Sequence, residues 1–182
     1  MEEKQLIRSC LQGNEEDFKK IMDVYTPKAM AMAMNILGNR DDAEDACQDA
    51  FIRAYLNLAR FDQEKSFKNW LYSILYRRCL DQLRRRRRTL VLLKKMQKES
   101  PAVLSSKPDP RPGDEGLPSR LLHLLKPKER TVLCLWANEG YTSQEIAEVL
   151  RCSASTARVY LFQARRKIKK ALDKSDASLQ VY

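Results

Sequence analysis

Five of the chain's seven prolines, Pro101, Pro108, Pro110, Pro112 and Pro118, crowd between residues 101 and 118 with Gly113, Gly116 and Ser105-Ser106-Lys107. Proline has no backbone N–H and its ring clashes with the preceding helical turn, so neither a helix interior nor a central strand can run through such a segment. Residues 96–118 therefore read as a flexible Pro-rich linker. It parts the 182 residues into an N-terminal domain, 1–95, and a C-terminal one, 119–175, followed by a tail, 176–182. These are sizes at which small helical domains fold. Neither half has a run of alternating β-branched residues with hairpin turns, and no internal repeat is visible. The expected fold class is all-α: two small helical domains joined by the linker.

Helical punctuation is clear in the N-terminal half. Asn14 is placed to cap a helix on which Phe18, Ile21, Met22 and Tyr25 recur. Thr26-Pro27 reads as the cap and first-turn proline of a second helix, with Met30, Ala33, Met34 and Leu37 on one stripe and a stop at Gly38-Asn39. Asp41 and Glu44 have capping-box spacing and open DAEDACQDAFIRAYLNLARF. One face of that helix is apolar: Ala43, Cys47, Ala50, Phe51, Ala54 and Leu58. Another carries Asp45, Gln48, Asp49, Ile52 and Leu56, which is either a solvated charged face or a protein-binding surface, since its charge would repel DNA.

A loop over residues 61–69 leads into FKNWLYSILYRRCLDQLRRRRR, with Ser66 as its N-cap. Tyr72, Leu75, Tyr76, Cys79 and Leu83 make an apolar side, and Trp70, Ser73, Arg77, Asp81, Arg84 and Arg88 follow one another along a different one. Aromatic faces stack on unpaired bases and guanidinium groups neutralise phosphates, so this helix suits nucleic acid; a solvated helix with a core-packed tryptophan is the alternative. The formal charge of +10 and pI near 9.5 favour a polyanionic partner.

Beyond the linker, Lys126-Pro127 begins a helix through Trp136, and Glu139-Gly140-Tyr141 makes a turn. Thr142 and Glu145 form a capping box for TSQEIAEVL, Arg151-Cys152 is a tight connection, and Ser153 caps SASTARVYLFQARRKIKKAL. Ala157, Leu161, Ala164, Ile168 and Leu172 give the longer helix a buried stripe. A short helix, a tight turn and a basic helix make a helix-turn-helix. Its groove side would carry Ser155, Arg158, Val159, Phe162, Gln163 and Arg166, with the hydroxyls of Ser155 and Thr156 holding phosphates at the helix N-terminus. Arg165, Lys167, Lys169 and Lys170 add positioning charge.

Several classes drop out. No segment has the roughly 18 uninterrupted apolar residues of a membrane span, and the charged N-terminus lacks a signal peptide's apolar core, so a cytoplasmic address without membrane insertion is expected. Cys10, Cys47, Cys79, Cys134 and Cys152 are widely spaced with only His123 for company, so neither metal nor cofactor is expected. Asp41, Asp42, Asp45 and Asp49 could serve phosphoryl transfer only if they converged on a metal, which one helix cannot arrange.

DAEDACQDAFIRAYLNLARF followed by SFKNWLYSILYRRCLDQLRRR resembles the second domain of bacterial RNA polymerase sigma factors of the extracytoplasmic-function group. LLKPKERTVLCLWANEGYTSQEIAEVLRCSASTARVYLFQARRKI resembles their fourth domain. The resemblance implies a non-catalytic initiation subunit. Asp45, Gln48, Asp49 and Ile52 would then dock on core polymerase. Lys65, Ser66, Phe67, Lys68, Asn69, Trp70, Ser73, Arg77, Asp81 and Arg84 would capture the melted minus-10 strand. Ser155, Thr156, Arg158, Val159, Phe162, Gln163, Arg165 and Arg166 would bind the minus-35 duplex. An anti-sigma partner is implied as well. The chain departs from the family pattern at Arg77, where asparagine is common, and in STARVYLFQAR, where GTVKSRLHRAR is usual. The rival reading is a freestanding helix-turn-helix regulator, which would need neither the acidic face nor the aromatic helix.

Overall fold

The computed structural model describes residues 3–96, 119–122 and 124–179. The expected linker, apart from Met96, and His123 lie outside the described residues. The chain forms two compact units, residues 1–109 and 110–182, and among the described residues both are built from helices without strands.

The first unit comprises α1 (Glu3–Leu11), α2 (Glu15–Leu37), α3 (Arg40–Leu56), a 3-10 turn (Leu58–Arg60) and α4 (Phe67–Met96). Helix α3 packs on both α2 and α4. Small residues let them approach: Ala29 and Ala33 of α2 and Ala43, Ala46, Ala50 and Ala54 of α3 are buried with Ile21, Ile36, Phe51, Leu71, Tyr72, Leu75 and Cys79. Each large side chain in that set contributes about 1.5–3 kcal/mol of burial.

Two expected helix boundaries are corrected. Residues 15–37 form one helix with Pro27 inside it, not two helices meeting at Thr26-Pro27. Pro27 removes one backbone hydrogen bond, a cost of ~3 kcal/mol. Continuous burial of Phe18, Ile21 and Tyr25 before it and Ala29, Met32, Ala33 and Ile36 after it outweighs that. The Thr26 hydroxyl, expected to cap, donates to the Met22 carbonyl at 2.7 Å. Helix α3 starts at Arg40 because Asn39 caps it, accepting from the Asp42 N–H at 3.0 Å; the Asp41–Glu44 box does not form, and Glu44 pairs with Arg40 at 2.6 Å. Gly38 ends α2 in the left-handed region at φ 69°, donating to the Met34 carbonyl, as its place after the apolar stripe predicted.

The second unit comprises α5 (Ser119–Leu122), α6 (Pro127–Glu139), α7 (Ser143–Leu150) and α8 (Ala154–Leu179). The Thr142–Glu145 capping box forms in both directions, at 2.8 and 3.3 Å, and Ser153 caps α8 by accepting from the Thr156 N–H at 3.1 Å. Ala157, Ala164 and Ile168 are buried. Leu172, expected on the same stripe, is 46% exposed, because α8 continues past the ends of the shorter helices.

A buried carboxylate stitches α6 to α8. Glu129 accepts from the Lys126 N–H at 2.9 Å and from Lys167 Nζ at 2.6 and 2.9 Å. Burial pushes its carboxyl up, but the Lys167 and Lys126 hydrogen bonds outweigh that and hold it below the ordinary glutamate value.

Candidate nucleic-acid and polymerase interfaces

On α3, Asp45, Gln48, Ile52 and Leu56 are exposed. Asp49 differs. It is half-buried, 2.5 Å from Arg78 Nε across the α3–α4 boundary and 3.2 Å from Arg53 Nε. Arg78 also approaches Asp81 at 3.6 Å. A cleft lined by Asp45, Ala46, Asp49, Arg78, Gln82 and Arg85 follows this boundary. The acidic face is therefore bordered by cations of α4, and Arg78 is a participant that helical spacing missed.

The loop into α4 folds over its own aromatic cluster. Ser66 caps α4 as expected, accepting from the Asn69 N–H at 3.2 Å. Phe67, Asn69 and Ser73, expected on the nucleic-acid face, are instead only 1%, 7% and 4% exposed. Phe67 packs on Tyr25, Phe61 and Trp70 with ring centroids 5.8, 5.4 and 5.6 Å apart. The Ser73 hydroxyl donates to the Trp70 carbonyl at 2.8 Å. These three residues are buried and do not line the face; for Phe67 the loop is the reason, since it brings Phe61 onto its ring.

Trp70 is half-buried, and its ring lies 5.0 Å from that of Phe61. Lys65 is exposed and 3.4 Å from Asp62, and Lys68 is half-buried with Nζ 5.8 Å from the Tyr72 ring centre. Arg77 is half-buried, and its Nη2 is enclosed without a hydrogen-bond partner. Asp81 pairs with Arg84 at 3.1 Å, and Arg84 to Arg88 are all exposed.

On α8, Ser155, Arg158, Val159, Phe162, Gln163, Arg165 and Arg166 are exposed and Thr156 is half-buried. Arg158 is 3.4 Å from the Ser155 hydroxyl. Arg165 is drawn to one flank, its guanidinium 5.2 Å from the centre of the Trp136 ring of α6. Lys167, expected to add positioning charge, is engaged by Glu129, and Tyr160 lies under Lys128 at 5.6 Å.

Among the described residues no group of three or more His, Cys, Asp or Glu side chains could hold a metal ion. Cys10, Cys47, Cys79 and Cys134 are buried and unbridged, and burial pushes the Cys47 and Cys79 thiols up to about 12, leaving them unreactive at neutral pH. No helix of the described residues is long and apolar enough to cross a membrane.

Comparison with known proteins assigns both units. The family profile described as Sigma-70 region 2 matches residues 21–89, and that described as Sigma-70, region 4 matches residues 119–168. The ECF RNA polymerase sigma factor SigW of Bacillus subtilis is 27% identical over 179 residues, covering 93% of this chain and 96% of the relative. The RNA polymerase sigma-H factor of Pseudomonas aeruginosa is 27% identical over 187 residues, 94% of each chain. Among solved structures, CnrH in complex with the cytosolic domain of CnrY aligns with a TM-score of 0.68 at 25% identity, covering 94% of this chain and 97% of the other. The sigma factor RpoE of Bartonella quintana, in complex with the anti-sigma factor NepR, shares the fold with a TM-score of 0.69 at 24% identity over 87% and 98% of the two chains. Two regions of one family, matched in order on the two units, and relatives that align along nearly their full lengths show that the chain belongs to the sigma-70 family, in its extracytoplasmic-function group.

Proposed function

We propose a division of labour among three surfaces of this sigma factor. Asp45, Gln48, Asp49 and Ile52 hold core RNA polymerase. Lys65, Ser66, Lys68, Trp70, Arg77, Asp81 and Arg84 take the minus-10 strand as it unpairs, on a platform that the buried Phe67, Asn69 and Ser73 do not line. Helix α8 reads the minus-35 duplex through the exposed face from Ser155 to Arg166. The whole is an initiation subunit and not an enzyme: it directs polymerase to promoters and assists melting. It works in the cytoplasm with the polymerase. The complex of the sigma factor RpoE with the anti-sigma factor NepR supports an anti-sigma partner that withholds the chain from polymerase.

The observation that carries the reading is the Trp70 platform. An aromatic ring packed on Phe61 and Phe67, on a helix that farther along carries a run of exposed arginines, puts a stacking group and phosphate-neutralising charge on one element. Reconstitution with purified core enzyme tests it. Core plus this chain initiates at promoters selected from a random library. Trp70→Ala holoenzyme retains initial binding but loses about tenfold or more of permanganate reactivity at minus-10 thymines, in line with about 1–3 kcal/mol per stacked base. Undiminished reactivity removes Trp70 from the melting site, and absence of initiation refutes the reading as a whole.

A further inference from the structure

The outermost stripe of α8 is partly apolar. At about 3.6 residues per turn, Ser155, Val159, Phe162 and Arg166 lie opposite the buried Ala157, Ala164 and Ile168. Val159 is 50% and Phe162 64% exposed, so the two side chains share the part of the helix that reaches furthest from the core. Their surroundings are polar or cationic: Arg158 and Lys169 on one flank, Gln163 and Lys170 on the other, Arg166 below, all exposed. A surface seeking an apolar protein would not ring two hydrophobic residues with this much positive charge, whereas a polyanionic groove complements it.

Within the major groove, the choice of base follows from desolvation. Guanine, cytosine and adenine present donors and acceptors that Val159 and Phe162 would strip of water without replacing its hydrogen bonds. Thymine alone offers an apolar group there, its C5-methyl. Gln163, one residue on from Phe162, has the paired donor and acceptor that adenine N7 and N6 require. From this juxtaposition we infer that Val159 and Phe162 are specificity residues that read thymine methyls, so that this chain's minus-35 element is an A·T-bearing duplex with thymine under the middle of α8. The inference rests on the assignment of α8 to the minus-35 duplex and adds the identity of the base.

Replacing thymine by deoxyuridine removes the methyl and leaves every hydrogen-bonding group in place, which isolates the contact. The assay measures equilibrium binding of reconstituted holoenzyme to a library-selected promoter, with each minus-35 thymine replaced singly by deoxyuridine and with the whole element scrambled as a control. Scrambling weakens binding, and deoxyuridine at one or two positions weakens it about fourfold, the worth of one buried methyl-sized group. With Val159→Ala or Phe162→Ala holoenzyme, thymine and deoxyuridine become equivalent at those positions. If scrambling weakens binding but no deoxyuridine does, or if both variants keep the discrimination, methyl reading is refuted and the minus-35 role of α8 stands. If scrambling has no effect, both are refuted.

Discussion

Asp49 sits where the exposed face of α3 meets the α3–α4 boundary, and its worth to stability and its proposed worth to polymerase binding can be separated. Its carboxylate is half-buried and shared between Arg53 on its own helix and Arg78 on the next, while its neighbours Asp45, Gln48 and Ile52 point outward. Ion pairs with this much exposure contribute about 0–1 kcal/mol to stability, because solvent screens the charges and ordering two long side chains costs entropy. An interface that desolvates the same carboxylate raises the stakes to about 2–5 kcal/mol. The expected outcome for Asp49→Ala is therefore a small shift in the urea midpoint and a loss of tenfold or more in affinity for core polymerase, read by titration of labelled protein. The charge exchange Asp49→Arg with Arg78→Asp sharpens the test: it restores the intramolecular pair and leaves polymerase affinity low. Recovery of affinity in the double variant would make Asp49 a scaffold residue and move the contact to Asp45, Gln48 and Ile52.

Among the elements, α6 and α8 depend on one another through Glu129. The carboxyl is buried, and its folded pKa lies below its unfolded one, near ~4.3. The group therefore binds protons more readily unfolded than folded. Its contribution is complete above the unfolded value and is lost as pH falls through the folded one. Glu129→Gln keeps the shape but leaves Lys167 without its anion, and is expected to lower the stability of the second unit by about 2 kcal/mol, discounted because Lys167 is partly exposed. Urea unfolding followed by Trp136 fluorescence in a Trp70→Phe background reads this unit. The wild-type midpoint falls on acidification below about pH 4, and the Gln variant starts lower at neutral pH and falls less. An identical acid response in both would assign the pH dependence to other carboxylates. The same pair marks where the sequence stops being legible. Caps at Ser66, Thr142 and Ser153 and the stop at Gly38 follow from residues within a turn of one another. Glu129 and Lys167 are 38 positions apart, and no spacing rule joins them. Pro27 misleads for the same reason: a local breaker is overridden by burial supplied from other helices. Ser73 lies on the stripe of α4 that periodicity indicates, yet it is buried, and only the folded loop shows Phe61 packed on Phe67 and Trp70.

For the whole molecule, the question is how a chain of net charge +10 avoids binding all DNA equally. Arg84 to Arg88 are five consecutive cations, and as consecutive helical residues they point around the full circumference of α4. A single duplex can meet only two or three of them at once. Arg84 is further drawn to Asp81 and Arg86 lies 3.9 Å from Asp42. On the proposed division of labour the arginines give weak, sequence-blind attraction, and selectivity requires the minus-10 platform and α8 to engage together. Two such sites on one tether gain from effective concentration only when their spacing matches the promoter, which core polymerase enforces. The chain by itself is therefore expected to bind promoter and random duplex within about threefold of one another, whereas holoenzyme separates them by roughly a thousandfold or more. Replacing Arg84 to Arg88 with glutamine should lower the slope of log affinity against log salt by about 2 for the free chain, at ~0.9 for each phosphate left unneutralised, and leave the holoenzyme's preference between promoters unchanged. A decrease near 4.5 would mean that α4 bends or frays to bring all five arginines onto phosphates. A changed promoter preference would assign base reading to a segment whose geometry suits only phosphate.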